Sequence, residues 1–150
     1  MPKVMSAARG ICPAGVLPLP TWVWRGESAS GLVGLRDAEH AAAGPMGGAI
    51  FENLVVAELF KTSLHRGEEP RMYFWRTAAG SEVDLIVETQ SGLVPIEIKA
   101  SATARPDMAR EINAFRRDFG DRAANGYVIH PGRTALPLGG GTLALPLAAL

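Results

Sequence analysis

The sequence predicts an α/β domain on a mixed central sheet, in the order helix, three-strand antiparallel meander, helix and parallel strand. Three observations lead to this prediction. Apolar residues recur at helical spacing over residues 49–65 and again after Pro106. Three strand-like runs between these helices are joined by short, turn-rich connections. The chain has 150 residues, of which 47% are hydrophobic, and can therefore bury one core.

The first helix is predicted from residue 49 to about residue 65, with Gly67 as its stop signal. At about 100° per residue, Glu58, Lys61 and Thr62 share one narrow polar side. Apolar residues cover most of the remaining surface, so we expect this helix to be largely buried.

The predicted strands cover residues 71–77, 82–88 and 93–99. The connections between them, residues 78–81 and 89–92, are short and contain glycine and serine. Connections of this length join neighbouring antiparallel strands, so the three strands are expected to form a meander.

A second helix is predicted after Pro106, which favours a first helical turn, and before Gly120, which favours a helix end. Its apolar residues recur at helical spacing: Met108, Ile112, Phe115 and Phe119. Residues 127–130 form a fourth predicted strand, parallel to the third because a helical crossover connects them. In the tail, residues 143–147 are a candidate edge strand.

The first 46 residues differ from the rest, since they contain five prolines and no clear periodicity. We interpret residues 1–46 as an irregular N-terminal extension and residues 47–150 as the α/β domain. Within the extension, residues 22–24 are a candidate short strand and residues 31–43 a candidate short helix or turn.

The composition excludes several classes of protein. Fifteen basic and fifteen acidic residues cancel, so no global field draws the protein to nucleic acid or membrane. Cys12 is the one cysteine, which excludes an internal disulfide and a cysteine-based zinc cluster. No apolar run reaches the roughly 18 residues of a membrane span. A cytoplasmic protein is the expectation.

Charged residues on the predicted strands point to chemistry. Side chains alternate along a strand, so Glu82 and Asp84 share a face, as do Glu97 and Lys99. The apolar residues are expected on the opposite faces: Val83, Leu85 and Val87 on one strand, Ile96 and Ile98 on the next. Glu52 likewise falls outside the polar side of the first helix. Carboxylates gathered on such strands need a partner, and the natural partner is a divalent metal.

Four short blocks carry a resemblance to known families. They are Gly48-Ala49-Ile50-Phe51-Glu52-Asn53, Tyr73-Phe74-Trp75-Arg76, Glu82-Val83-Asp84 and Ile96-Glu97-Ile98-Lys99. An acid on one strand followed by Glu-x-Lys on the next resembles the PD-(D/E)xK nuclease-like superfamily, which implies a restriction-endonuclease-like core. Over roughly residues 32–132, the blocks are more closely similar to the domain of unknown function DUF4143, at the C-terminus of many bacterial and archaeal AAA-type ATPases.

The resemblance implies a magnesium-dependent nuclease acting on DNA. Magnesium prefers oxygen ligands and keeps several waters. Asp84 and Glu97 are expected to hold the metal, with the carbonyl of Ile98 as a further ligand and Glu52 reaching a metal-bound water or a second cation. Lys99 is expected to hold the attacking water or to stabilise the developing negative charge.

An empty site has a predictable electrostatic consequence. Asp84 and Glu97 would repel by about 4 kcal/mol at 4 Å and an effective dielectric near 20. Without a metal, we therefore expect the pair to take up a proton or a cation.

Simpler interpretations stand beside the metal site. Glu97 and Lys99 are also consistent with an exposed ion pair on an edge strand, and Glu52 with a surface position on a helix of different phase. Glu82 is either a supporting acid near the metal or, as we prefer, a salt-bridge partner for Arg76.

The aromatic and basic residues have ordinary roles as their main interpretation. Tyr73 and Trp75 are expected in the core or strand rather than as a base-stacking platform. Four arginines are consistent with phosphate contacts or with a solvated helix face: Arg110, Arg116, Arg117 and Arg122. The histidines share no metal-ligand spacing, and no role is assigned to them.

The chain also departs from the ATPases. It has no Gly-x-x-x-x-Gly-Lys-Ser/Thr loop, so no ATPase activity is expected. Its first thirty residues do not match the relatives, which suggests an isolated or truncated C-terminal domain. Two alternatives to a nuclease therefore remain open. One is a non-catalytic module that binds DNA, an ATPase partner or a second copy of itself, and the other is a poorly folding fragment.

Overall fold

The computed structural model describes residues 16–18 and 47–150. Their α-helices are α1 (Gly47–His65) and α2 (Arg110–Phe119). Their strands are β1 (Val16–Pro18), β2 (Met72–Arg76), β3 (Glu82–Thr89), β4 (Gly92–Ile98), β5 (Gly126–His130), β6 (Leu136–Gly139) and β7 (Thr142–Pro146). The α/β prediction is confirmed. The elements predicted at residues 22–24 and 31–43 lie outside the described residues, as does Cys12.

All seven strands form one mixed sheet in the order β1-β2-β3-β4-β5-β7-β6. The predicted meander is present, since β2, β3 and β4 pair antiparallel. As predicted, β5 runs parallel to β4. This order places β3 and β4, which carry the charged residues, inside the sheet.

The tail differs from its prediction. Residues 143–147 were predicted to add an edge strand, but β7 lies between β5 and β6 and runs parallel to β5. The edge is β6, which pairs antiparallel with β7. The turn between them contains Gly139, Gly140 and Gly141 with φ of 86°, 57° and 73°, values that favour glycine. This tight turn joins two strands, β6 and β7, in the tail where one strand was predicted.

A short strand lies within the segment interpreted as irregular. Val16–Pro18 forms β1 and pairs antiparallel with β2, with Val16 opposite Trp75. Val16 is buried in the cluster that contains Trp75 and Phe115.

Helix α1 covers one face of the sheet. Its Val55 and Val56 pack with Leu85, Ile98 and Ile129 from the three central strands. The expectation of a largely buried helix is wrong, however, because Leu54 and Leu64 are 45% and 51% exposed. The sheet contacts a single side of α1, so the opposite side remains accessible although it is partly apolar.

The C-terminus of α1 is where the sequence placed it. The helix ends at His65, and Gly67 adopts a φ of 69°. The backbone N–H of Gly67 donates to the carbonyl of Leu64 at 2.9 Å, so it satisfies one of the last carbonyls of the helix.

Helix α2 covers the other face. A 3-10 turn at Pro106–Ala109 precedes it, so the predicted helix is divided into two helical types. Phe115 is fully buried and stacks on Phe119 at 4.2 Å between ring centroids, and Trp75 meets Phe115 edge-on at 5.4 Å. As predicted, the helix ends at Phe119 before Gly120, which has a φ of 53°.

Within the described residues, no helix is both long enough and apolar enough to cross a membrane.

Candidate functional site

A β-bulge in β3 shapes the surroundings of Asp84. Between the pairs Tyr73↔Ile86 and Trp75↔Val83, β3 contains one residue more than β2. Asp84 lies within this bulged stretch. Bulges redirect side chains and occur often near functional sites.

Because of the bulge, the side chains of β3 do not alternate between the two faces as predicted. Val83, Leu85 and Val87 were expected on one face. Instead, Val83 joins Ile86 in the cluster below α2, while Leu85 and Val87 pack with α1. The prediction for Val83 was wrong because the extra residue shifts the alternation by one position.

Asp84 is fixed by the neighbouring strand. The backbone N–H of Ile98 donates to Oδ2 of Asp84 at 2.8 Å. The backbone pairing of β3 with β4 begins at Leu85↔Ile96 and does not include Ile98. The carboxylate of Asp84 therefore accepts the hydrogen bond of the Ile98 N–H where that pairing ends. This contact holds the half-buried Asp84 against the end of β4.

Glu97 is buried in the interior of the sheet. It lies on β4 opposite Val128 of β5, and only 2% of its surface is exposed. Its Oε2 contacts the Lys99 Nζ at 2.6 Å, and its Oε1 has no hydrogen-bond partner. The interpretation of Glu97 and Lys99 as an exposed pair on an edge strand is therefore wrong.

The environment of Glu97 favours its protonated form. Burial, followed by the negative charge of Asp84, raises the pKa of Glu97 to about 8, although Lys99 opposes the shift. This result agrees with the expectation that the site without metal takes up a proton.

Lys99 follows β4 directly. Its backbone N–H donates to the carbonyl of Ile129 at 2.9 Å, which anchors it beside β5. Burial alone would lower the pKa of Lys99, but its hydrogen bond to Glu97 and the charges of Glu97, Asp84 and Glu52 raise the pKa above its ordinary value. The side chain is 39% exposed, so the ammonium stays charged and within reach of solvent.

Glu52 approaches these groups from α1. Its side chain is exposed, in agreement with the surface interpretation. Partial burial, followed by the charges of Asp84 and Glu82, nevertheless raises the pKa of Glu52, while Lys99 opposes the change. The structure therefore brings Glu52, Asp84, Glu97 and Lys99 into one electrostatic neighbourhood.

The neighbouring residues have structural partners. The Arg76 Nε donates to Oε2 of Glu82 at 2.9 Å across β2 and β3, which is the salt bridge that we preferred for Glu82. Trp75 is buried in the core, and the Tyr73 hydroxyl donates to Oε2 of Glu88 at 3.3 Å. Neither aromatic side chain forms an open stacking platform.

The donor set fits a magnesium ion with two protein ligands. Among residues 16–18 and 47–150, no group of three or more Asp, Glu, His or Cys side chains is placed to hold a metal. Glu52 therefore does not complete a three-carboxylate cage with Asp84 and Glu97. Two carboxylates with several waters are sufficient for magnesium, and Oε1 of Glu97 has no competing hydrogen bond.

A cleft of about 370 Å³ adjoins this group of charges. Its lining comes from the end of β4 and the loop after it, and from the 3-10 turn and the start of α2. These residues are Glu97, Lys99, Ala100, Ser101, Arg105, Asp107, Met108, Arg110 and Glu111. Arg105 was not singled out from the sequence, and its position directly before Pro106 was the available signal. We call this space the β4–α2 cleft.

The remaining arginines and His130 lie in other settings. Arg116 donates through Nη1 to the carbonyl of Gly140, and Arg117 and Arg122 are exposed. The buried His130 was given no role, and its Nδ1 accepts a hydrogen bond from the Gly132 N–H at 3.1 Å.

The comparisons with known proteins give one match. The family model described as "Domain of unknown function (DUF4143)" matches residues 47–150. No curated protein and no solved structure matches the chain.

Proposed function

The chain belongs to the DUF4143 family of domains of unknown function, and we propose that it is a magnesium-dependent nuclease-like domain that cleaves phosphodiester bonds in DNA. The observation that carries the proposal is the buried Glu97 carboxylate beside Asp84 and Lys99, at the adjoining ends of two interior strands. Burial of such a charged cluster is energetically unfavourable, and ionisable groups with strongly shifted pKa values are typical of functional sites. The likeness of these residues to the PD-(D/E)xK pattern supports the same chemistry.

In this proposal, Asp84 and Glu97 hold the cation. The Ile98 N–H already fixes Oδ2 of Asp84, which orients the whole carboxylate. Glu97 releases its proton to solvent before it binds a cation, because a ligand oxygen must be deprotonated. When bound, magnesium supplies Lewis-acid polarisation of the phosphate.

Lys99 has the role of stabilising charge. Its ammonium is held by Glu97 at 2.6 Å, and its side chain is 39% exposed, so it can also contact a phosphate oxygen. Negative charge develops on that oxygen during hydrolysis, and a fixed cation lowers the barrier most where such charge appears. Glu52 adds negative charge near Asp84 and Lys99, which favours the binding of a divalent cation.

The test is cleavage of plasmid and branched DNA in magnesium or manganese. Wild-type protein is expected to cleave, and Lys99→Ala to reduce the rate by about 100-fold or more, because a stabilising donor is lost. Lys61→Ala is the matched control, since Lys61 forms an exposed pair with Glu58 on α1. Equal rates for wild type and Lys99→Ala, or no cleavage by wild type, would contradict the proposal.

A second candidate is a non-catalytic module that binds DNA or serves an ATPase partner. The favouring observation is that Glu97 favours its protonated form and already contacts Lys99, so the site is partly satisfied without a metal. Calorimetric titration with magnesium separates the two. The nuclease proposal expects binding by wild type and a large loss in Asp84→Asn. The second candidate expects no metal binding, and DNA or partner binding that survives Asp84→Asn.

A further inference from the structure

The β4–α2 cleft opens directly from the two groups at the centre of the proposed chemistry. Glu97 and Lys99 form one end of it. A nucleic-acid substrate whose phosphate lies at Lys99 extends beyond that phosphate, and the cleft provides space for the adjoining nucleotide. Its volume of about 370 Å³ is in the range of small-molecule pockets, about 300–1,000 Å³. We expect such a space to accept one nucleotide unit that is splayed out of a stack.

The cleft contains basic side chains that can contact a phosphate backbone. Besides Lys99, Arg105 and Arg110 line the cleft, together with the carboxylates of Glu97, Asp107 and Glu111. Both arginines have exposed side chains, at 65% and 84%, so their guanidinium groups are accessible from solvent. A planar guanidinium presents five donors and suits phosphate oxygens.

The present partners of these arginines leave donors for a phosphate. The Arg105 Nε lies 3.6 Å from Oδ1 of Asp107, and the Arg110 Nε donates to Oε1 of Glu111 at 2.9 Å. The Arg105–Asp107 pair is exposed on both sides, and such pairs contribute about 0–1 kcal/mol, so a phosphate can replace Asp107 with little loss. Glu111 is only 23% exposed, so Arg110 is expected to keep this partner and to meet a phosphate through its remaining donors.

The wall of the cleft also offers an apolar surface. Met108 is only 8% exposed but contributes to the lining between the two arginines, and Ala100 from the loop after β4 adds an exposed apolar group. A base or sugar can pack on these groups while the backbone phosphates meet the arginines. A strand-shaped ligand needs this combination, and a free inorganic anion does not.

Building on the proposed function, we infer that the β4–α2 cleft binds single-stranded DNA next to the scissile phosphate, with Arg105 and Arg110 contacting its backbone phosphates. The substrate class is then a strand that is unpaired at the site of cleavage, such as a free single strand or a splayed end.

Binding in the absence of metal tests this inference independently of cleavage. Fluorescence anisotropy is measured in EDTA with a labelled single-stranded oligonucleotide and with the same sequence as a blunt duplex. Wild-type protein is expected to prefer the single strand. The double variant Arg105→Ala/Arg110→Ala is expected to bind it more weakly and to reduce the slope of log affinity against log salt by about 1.4, at about 0.7 per lost phosphate contact.

A matched control removes the same charge elsewhere. Arg66→Ala/Arg71→Ala replaces two exposed arginines outside the cleft and is expected to keep the wild-type salt slope. Thermal melts of all variants verify folding. Equal salt slopes for the cleft and control variants, a preference for duplex, or no binding by wild type would overturn the inference. Metal-dependent cleavage by a protein with equal slopes would leave the proposed function standing.

Discussion

Glu97 occupies a position where burial would favour valine or leucine. Its neighbours along β4, Ile96 and Ile98, are buried and apolar, and Glu97 is as enclosed as they are. When Glu97 is ionised, Oε1 of its buried carboxylate has no donor, and an unsatisfied buried acceptor costs about 1–3 kcal/mol. The cost is most readily understood if a ligand completes the site.

Glu97 gives the protein a defined pH dependence. Its pKa is about 8 in the folded state, against 4.5 as its ordinary value. Between these values the folded protein retains a proton that the unfolded chain has released, so the free energy of unfolding falls as the pH rises. Relative to Glu97→Gln, wild type is expected to lose roughly 3–4 kcal/mol from pH 5 to pH 8.

Urea denaturation at pH 5, 6, 7 and 8 measures this difference in metal-free buffer. The carboxamide of Glu97→Gln cannot ionise, so its stability is expected to vary less over the same range. Glu58→Gln is the control, because Glu58 lies exposed on α1. A constant difference between wild type and Glu97→Gln at all four pH values would show that Glu97 ionises normally.

The residues of the site were predictable by type but not by geometry. The Glu-x-Lys spacing and the acid on the preceding strand were visible in the sequence. The bulge was not, because Val83, Leu85, Ile86 and Val87 are all apolar and fit either alternation. The mutual influence of Glu52 and Asp84 depends on how α1 lies on the sheet, which local sequence does not encode.

At the scale of elements, close approach between β5 and α2 depends on a glycine. A Cβ at Gly126 would lie 2.4 Å from Cγ2 of Ile112 and 3.2 Å from Cγ of Pro95. Gly126→Ala is therefore expected to destabilise the protein by about 1–3 kcal/mol through overpacking.

The control for this prediction is another glycine. A Cβ at Gly48 on α1 would meet nothing within 4 Å, so Gly48→Ala is expected to be neutral or to stabilise by up to about 1 kcal/mol. Chemical denaturation of both variants provides the measurement. If Gly126→Ala were as stable as wild type, α2 would have to move away from β5 without loss.

The elements that were predicted correctly have regularly spaced apolar residues or short connections. The elements that were missed contain proline, consecutive glycines or an apolar face of unknown contact. The meander followed from two short connections, and α2 from four apolar residues at helical spacing. Strand β6 was missed because Pro137 and three consecutive glycines indicated a loop rather than a hairpin. The exposure of Leu54 and Leu64 was missed because an apolar helix face does not reveal how much of it a sheet covers.

At the scale of the whole molecule, a strand far from the domain in sequence completes the sheet. Strand β1 places the buried Val16 beside Trp75. Deletion of residues 1–18 is expected to lower stability by about 2 kcal/mol, because burial of a valine side chain contributes about 1.5–3 kcal/mol. Deletion of residues 1–15 keeps β1 and is the matched comparison.

Thermal and urea denaturation of the two deletion variants are the measurements. The shorter deletion is expected to be the more stable of the two. If both variants unfolded at the same urea concentration, the pairing of β1 with β2 would contribute nothing to the fold.

The far edge of the sheet has a consequence for behaviour at high concentration. Among the strands of residues 16–18 and 47–150, β6 ends the order, and a sheet edge is a template on which other chains can add. This edge is only four residues long, contains Pro137 and has an irregular register between Pro137 and Gly139. A short strand with a missing donor and a bend resists such addition. The edge therefore protects the folded protein from forming sheet-like aggregates in a crowded solution.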